Sequence, residues 1–377
     1  MFEPVNKKPV PPIGPKNAKI IIVGETPARA EVDKMIPFQG GAGKELNSWL
    51  EHAGLRRQDI YITNVLPWRS PRNKIVDFCV KKREAEEAYQ EYLPGLREQY
   101  PDFPWPEKYT WKHIGQAGAY LHPKYLYRLP ELRDEILRVN PNLVIPMGNA
   151  ACWGTIGQTG ISKIRGTVAW TENPEGYKAL PITHPAAVLR NYSDRPICLL
   201  HMQKAEKESH EPGFYRPGRH ILIDPTLEEI EDFYHTYFKK AKYCGLDIET
   251  IPHRQIITMV GFSADETHAV VVPFADSRQP DGSYWTTPET ERQAWEWVKT
   301  FCQEAAVEKV LQNGLYDLFW LWEQFGITTR GNVHDTLILS RSLQPELPAD
   351  LGTQGSMFTN EPAWKLMRKK KSAKELE

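Results

Sequence analysis

Cysteine is scarce in this sequence. Its five thiols (Cys79, Cys152, Cys198, Cys244, Cys302) are scattered over 377 residues with no CxxC pair. That spacing excludes a cysteine-built zinc site and a disulfide scaffold, and it fits a reducing compartment such as the cytoplasm. No run of about 18 apolar residues occurs, so no segment reads as a membrane-spanning helix, and no membrane partner is expected. The start, "MFEPVNKKPVPPIGPKNAK", is Pro-rich and lacks the apolar core of a signal peptide. A GxxxxGK[ST] phosphate loop is absent, which argues against a nucleotide hydrolase of that type. No internal repeat is visible.

What is present suits two domains. Hydrophobic content of 41% and charged content of 25% are ordinary for a globular chain. The net charge of −1 hides an asymmetry: residues 1–210 carry 29 Lys and Arg against 23 Asp and Glu, a balance of +6, leaving −7 for the rest. A basic half suits a polyanion, and an acidic half suits a site that gathers carboxylates for metal ions.

"AKIIIVGE" (18–25) is a continuous apolar run ending in a glycine turn, as in a buried parallel strand. "DIYITNVLPW", "NLVIPMG" and "YKALPITHPAAVL" read as three more strands, with helical spacing between them. This alternation predicts a parallel α/β sheet with ligand-binding loops at the strand ends. The insertion "PDFPWPEKYTWKHIGQAGAYLHPKYLYRLP" is rich in Pro, Trp and Tyr. It reads either as a track that stacks bases or as a loop packed down by its own aromatics. The polar stretch 206–220 is the expected linker, giving domains 1–205 and 221–377. The second domain begins with a helix, then strands "KYCGLDIET", "QIITMVGFSA" and "HAVVVPFA", and continues with helices alternating with "KVLQNG".

The polar candidates of the first domain fall just after predicted strands one, two and four, with Arg165-Gly166 as a further element of the same ordered set. They are Gly24-Glu25-Thr26-Pro27 with Pro37-Phe38-Gln39-Gly40-Gly41-Ala42-Gly43, Asn64-Val65 with Arg69 and Pro71-Arg72-Asn73-Lys74, and Arg165-Gly166 with His184-Pro185 through Leu189-Arg190. In this order they resemble the uracil-DNA glycosylase superfamily, most closely its iron–sulfur-type family-4 branch. The resemblance implies a three-layer α/β/α domain that takes a base out of the DNA stack. Phe38 would be the stacking platform and Asn64 the amide reading the base edge. His184 would hydrogen-bond the uracil O2 as charge develops there, and Glu25 and Asn73 would position water. Arg165 and Arg190 would hold phosphates. Two departures bear on activity. Trp68 stands where the branch has a cluster cysteine, so no iron–sulfur cluster is expected, and Ala28 replaces a glycine of the first motif. Uracil removal and simple DNA binding both stay open.

In the second domain Asp247 and Glu249 lie two apart, on one face of a strand. Asp317 follows on the first turn of a helix, and hydrolysis by two metal ions needs such carboxylates on rigid elements. Asp247-Ile248-Glu249-Thr250, Asn313-Gly314-Leu315-Tyr316-Asp317 and Asp335-Thr336 resemble the 3′–5′ proofreading exonuclease of family-A, phage-type DNA polymerases. The resemblance implies an RNase H-like mixed sheet and two Mg2+ or Mn2+ ions held by Asp247, Glu249 and Asp317. The final Y-x-x-x-D motif is missing: no Tyr follows Asp317, and the one later histidine, His334, directly precedes Asp335. The exonuclease domain is therefore expected to be incomplete, with a polymerase fragment as the partner that supplies the missing motif. The expected function is DNA replication or repair in the cytoplasm of a bacterial host cell, acting on single-stranded DNA or a primer 3′ end. The alternative is a non-catalytic DNA-binding or scaffolding subunit of a polymerase assembly.

Overall fold

The computed structural model describes residues 3–6, 8–251, 254 and 256–363. The chain divides into two compact units: Met1–Tyr215 with Gly352–Glu377, and Arg216–Leu351.

The first unit is built on five strands: β1 (Ile20–Gly24), β2 (Tyr61–Asn64), β3 (Leu143–Pro146), β4 (Ala169–Glu172) and β5 (Glu175–Ala179). Their order is β2-β1-β3-β5-β4, parallel except for β4. Every residue of β1, β2 and β3 is buried. Strands covered on both faces need helices above and below, which makes this a three-layer α/β/α unit. Its helices include α1 (Arg29–Lys34), α2 (Gly40–His52), α3 (Lys82–Gln99), α4 (Arg128–Val139), α5 (Gly148–Ile156), α6 (Pro185–Val188) and α7 (Arg195–Glu208). The antiparallel β4 was not legible as a strand: only Thr171 of its four residues is buried.

The aromatic insertion packs down on itself. Tyr89, Tyr109 and Trp111 form edge-to-face pairs, and Trp105, Tyr109 and Tyr120 join the main core. Indole and phenol groups are satisfied locally, as in Tyr109 Oη to Leu121 O (2.8 Å) and Trp105 Nε1 to Tyr100 O (3.1 Å). Of the two readings of this segment, the packed loop is the one observed.

The second unit has β6 (His220–Leu222), β7 (Tyr243–Thr250), β8 (Ile257–Ser263), β9 (His268–Pro273), β10 (Glu308–Leu311) and β11 (Val333–Asp335), with α8 (Leu227–Thr236), α9 (Pro288–Gln303), α10 (Leu315–Phe325) and α11 (Thr336–Leu343). The sheet order is β11-β10-β7-β8-β9-β6. Strands β7, β8 and β9 form an antiparallel meander, and β10 and β11 add in parallel on the other side of β7. That order is RNase H-like. Along β7, Leu246 and Ile248 are buried while Asp247 and Glu249 are exposed, so the two carboxylates do share the open face.

One expected boundary differs. Residues from Gly352 group with the first unit rather than completing 221–377. In α12 (Leu351–Phe358), Ser356 Oγ lies 3.0 Å from His201 Nε2 of α7. Lys204 Nζ donates to Ser356 O (2.8 Å) and Thr359 O (2.6 Å). A lysine is a suitable partner for the carbonyls that a helix end leaves open.

Candidate functional site

The loops after β1, β2 and β5 meet around a cavity of about 970 Å³, lined by Glu25, Phe38, Asn64, Asn73, His184 and Arg190 among others. Six of the seven residues singled out in the first domain therefore line one cavity. The seventh does not: Arg165 is absent from the lining, and its Nη1 pairs with Asp194 Oδ1 at 2.7 Å.

Close approach at the strand ends requires Gly24. A Cβ there would stand 2.2 Å from Asn64 Oδ1 and 2.7 Å from Phe38 Cε2. Phe38 takes a left-handed φ of 52°, uncommon for an aromatic residue. Glu31 fixes that turn, because its carboxylate accepts from the amides of Phe38 (2.5 Å) and Ala28 (2.6 Å). Burial raises the Glu31 pKa against those two bonds and the nearby Arg57, whose Nη2 donates to Pro37 O (2.7 Å). Neither Glu31 nor Arg57 was singled out from the sequence; a glutamate three residues into a predicted helix reads only as a capping residue. Ala28 has an ordinary extended backbone (φ −90°), so replacing the glycine introduces no strain there.

The Asn64 side chain is buried, and its Nδ2 has no hydrogen-bond partner. Buried polar atoms are normally satisfied, so a bare amide at a cavity wall is a free donor for a ligand. His184 caps α6: its Nδ1 accepts from Ala186 N at 3.1 Å. Burial, reinforced by the positive charge of Arg190, pushes its pKa down to about 4. The ring is therefore neutral near pH 7. With Nδ1 occupied as an acceptor, the proton sits on Nε2, a donor that carries no charge. The ring stacks on Phe38 at 5.5 Å and 25°. Glu25 accepts from Ile75 N at 3.3 Å, and its pKa is raised by burial against that bond and Arg190. Asn73 has φ 53°, and its Oδ1 accepts from Arg69 Nε at 2.9 Å.

An iron–sulfur cluster does not fit these residues. At Trp68 an indole packs against the core and donates to Tyr127 Oη at 2.9 Å. Burial raises the pKa of all five thiols and so disfavours the thiolate that iron needs. Among the described residues no three His, Cys, Asp or Glu side chains gather to hold a metal.

That last observation also covers the second unit. Asp317 is buried at the start of α10, and its Oδ1 accepts from Ile248 N of β7 at 2.9 Å. Its pKa rises to about 6, first through burial and then through the charges of Asp247 and Asp335. Carboxylates suit a hard divalent cation in chemistry, yet among the described residues no three of them close into a ready cage. Asp335 is used structurally: it caps α11 and accepts from Asn313 N (3.1 Å) and Gly314 N (2.8 Å).

The chain belongs to the uracil DNA glycosylase superfamily, whose family model matches residues 11–208. Within that class it is similar to a type-4 uracil-DNA glycosylase of Archaeoglobus fulgidus, at 32% identity over 186 residues, 48% of this chain and 71% of the relative. A DNA polymerase of Bacillus phage SP01 is 23% identical over 362 residues, 89% of this chain. A solved structure of Escherichia coli RNase D, an exoribonuclease involved in structured RNA processing, matches 39% of this chain at 15% identity with a TM-score of 0.28. The chain spans about a third of the length of both of these last two relatives (33% and 34%).

Proposed function

We propose that the protein acts in DNA repair or replication and that its first unit removes uracil from DNA. The observation that carries this reading is the bare Nδ2 of Asn64 and a neutral His184 lining one cavity. A uracil turned out of the stack offers an acceptor to Asn64 Nδ2 and a donor to its Oδ1, which is pairing that an amide can make and an ionised carboxylate cannot. Phe38 supports the ring. When the bond from sugar C1′ to the base N1 breaks, its electron pair passes to the base and charge builds on O2. His184 Nε2–H donates to that oxygen without being a charged acid. Water adds to C1′, oriented by Glu25 and Asn73, and its proton leaves to Glu25 or solvent. Arg190, which lines the cavity, would hold a phosphate.

The second unit we read as exonuclease-like. A divalent ion bound there would supply Lewis-acid polarisation of a phosphoryl oxygen, with Asp247, Glu249 and Asp317 as its holders. The carboxylates do not gather by themselves, which favours a second reading for this unit: it binds DNA without cutting until a polymerase fragment completes a site for two Mg2+ or Mn2+ ions.

The test is incubation with end-labelled, uracil-containing DNA in EDTA or in Mn2+, followed by alkali. Alkali-labile sites in EDTA, lost in Asn64→Ala, establish base removal. Shortening from the 3′ end in Mn2+, lost in Asp247→Ala, establishes the nuclease. Intact DNA in every lane would sink both activities for this chain.

A further inference from the structure

The residue that presents Asn64 to the cavity lies behind it, on another element. Strand β2 is the outer strand of its sheet, so the carbonyls along its outward side have no neighbouring strand to donate to them. The first stretch of that side is covered by Ile13, whose amide and carbonyl exchange bonds with Ile62 (3.0 and 2.8 Å). At the end that reaches the cavity the cover is a side chain. Arg128 Nη2 donates to Asn64 O at 3.0 Å, and its Nε donates to Val65 O at 3.0 Å.

Two successive carbonyls thus receive the two parallel donors of one edge of a planar guanidinium, a geometry that a lysine cannot copy. On the opposite side, the amides of Val65 and Leu66 donate to Gly24 O (3.0 Å) and Glu25 O (3.1 Å). The peptides after Asn64 are held from both sides, and the inner side ties them to the backbone of Glu25. Fixing this short segment sets the position of Asn64 relative to both Gly24 and Glu25.

Arg128 is itself expensive to place. It is buried, and it keeps its charge because Glu131 Oε2 and Glu135 Oε1 lie 2.8 and 3.1 Å from Nη1. Glu135 is buried too, with its Oε2 unpartnered. A buried ion pair seldom stabilises more than apolar residues of the same volume. The cost is better explained by what the guanidinium does at the strand end than by the strength of the pair.

We propose that Arg128 is the positioning residue of the base-reading amide: it substitutes for a missing strand so that Asn64 is held rigidly enough to discriminate among bases. This rests on the reading of the cavity as a uracil site.

The test uses the full chain with Arg128→Lys and the double variant Arg128→Met/Glu135→Met, which removes the clamp, keeps the space filled and strands no buried charge, since Glu131 is 39% exposed and keeps its bond from Tyr100 Oη. Melting temperatures check that each variant folds. Uracil release from single-stranded DNA is measured for kcat and KM, and binding is compared for oligonucleotides with uracil or cytosine at one position. A displacement near 1 Å of a reading group costs about 100-fold. The expected result is therefore a fall in kcat of roughly 10- to 100-fold, with KM within about threefold and a reduced preference for uracil in binding, in both variants. A folded double variant with wild-type kcat and wild-type preference overturns the proposal alone, provided Asn64→Ala is inactive. A wild-type chain that neither releases uracil nor prefers it in binding overturns the uracil reading and this proposal together.

Discussion

The two candidate sites solve opposite electrostatic problems. In the first unit the groups read as acting on the base are neutral or compensated, with cationic Arg190 beside them: an amide, a histidine stripped of its charge by burial and Arg190, and a glutamate held by a backbone amide. In the second, Asp317 is pushed toward protonation first by its burial and then by the charges of Asp247 and Asp335. A site made of neutral dipoles can be assembled by the chain alone, because folding brings no like charges together. A site made of carboxylates stays frustrated until a cation arrives. The difference predicts that the first site is ready in the isolated protein and the second is not.

The comparison is broken most severely by removing the neutral donors. His184→Ala and Asn64→Ala should each lower uracil release by roughly 100- to 1,000-fold, the range for losing one donor to a developing oxyanion. Melting curves should move little for Asn64→Ala, because its Nδ2 bonds to nothing in the free protein. Activity within tenfold of wild type in either variant would show that the donors are not what drives the reaction. Next in size is Gly24→Ala. The added methyl would enter the space of the Asn64 amide and the Phe38 ring, so a stability loss of about 1–3 kcal/mol is expected, together with loss of uracil binding. Calorimetry and anisotropy read the two effects separately.

The acidic site is sharpened by removing a charge instead. Asp317→Asn keeps an oxygen for the Ile248 amide and relieves repulsion, so in EDTA the second unit should melt about 4 °C higher, the size of shift expected for roughly 1 kcal/mol. Millimolar Mn2+ should raise the melting temperature of the wild type and leave the variant unmoved, by linkage to binding. An equal response of both proteins to Mn2+ would remove Asp317 from the metal-holding set.

Much of this was legible in the sequence, for physical reasons. Continuous apolar runs such as "IIIVG" fix buried parallel strands, and the alternation in "YCGLDIET" fixes a half-open one. Strand ends then locate loops, which is why Glu25, Phe38, Asn64, Asn73, His184 and Arg190 could be expected to converge. That Arg165 pairs with Asp194 outside this lining was not legible, because its partner is 29 residues away and no local pattern announces the pair. Arg128 and Glu31 were missed for a related reason: their work is done on backbone atoms, and a carbonyl left bare at a sheet edge is visible only once the strand order is known. The return of α12 to the first unit was hidden likewise, since it depends on His201 and Lys204, which look like ordinary helix residues.

The smallest effect expected concerns pH, and it isolates the first unit. His184 and His201 are both pushed below the ordinary histidine value, to about 4 and about 3, mainly by burial. Between those values and about 6.5 the unfolded chain binds protons that the native protein refuses, so stability rises with pH across this window and falls on acidification. From pH 7 to pH 6 the loss is roughly 0.7 kcal/mol for each such histidine. His201→Gln removes one of the two titrations without touching the cavity, since His201 faces Ser356 and Gly166. The melting temperature of this variant should therefore depend less steeply on pH between 7 and 5.5 than that of the wild type, while uracil release keeps its pH profile because His184 is unchanged. Parallel slopes would mean that His201 already gains its proton in the native protein near neutrality, and that the contact with Ser356 Oγ is made by a charged ring.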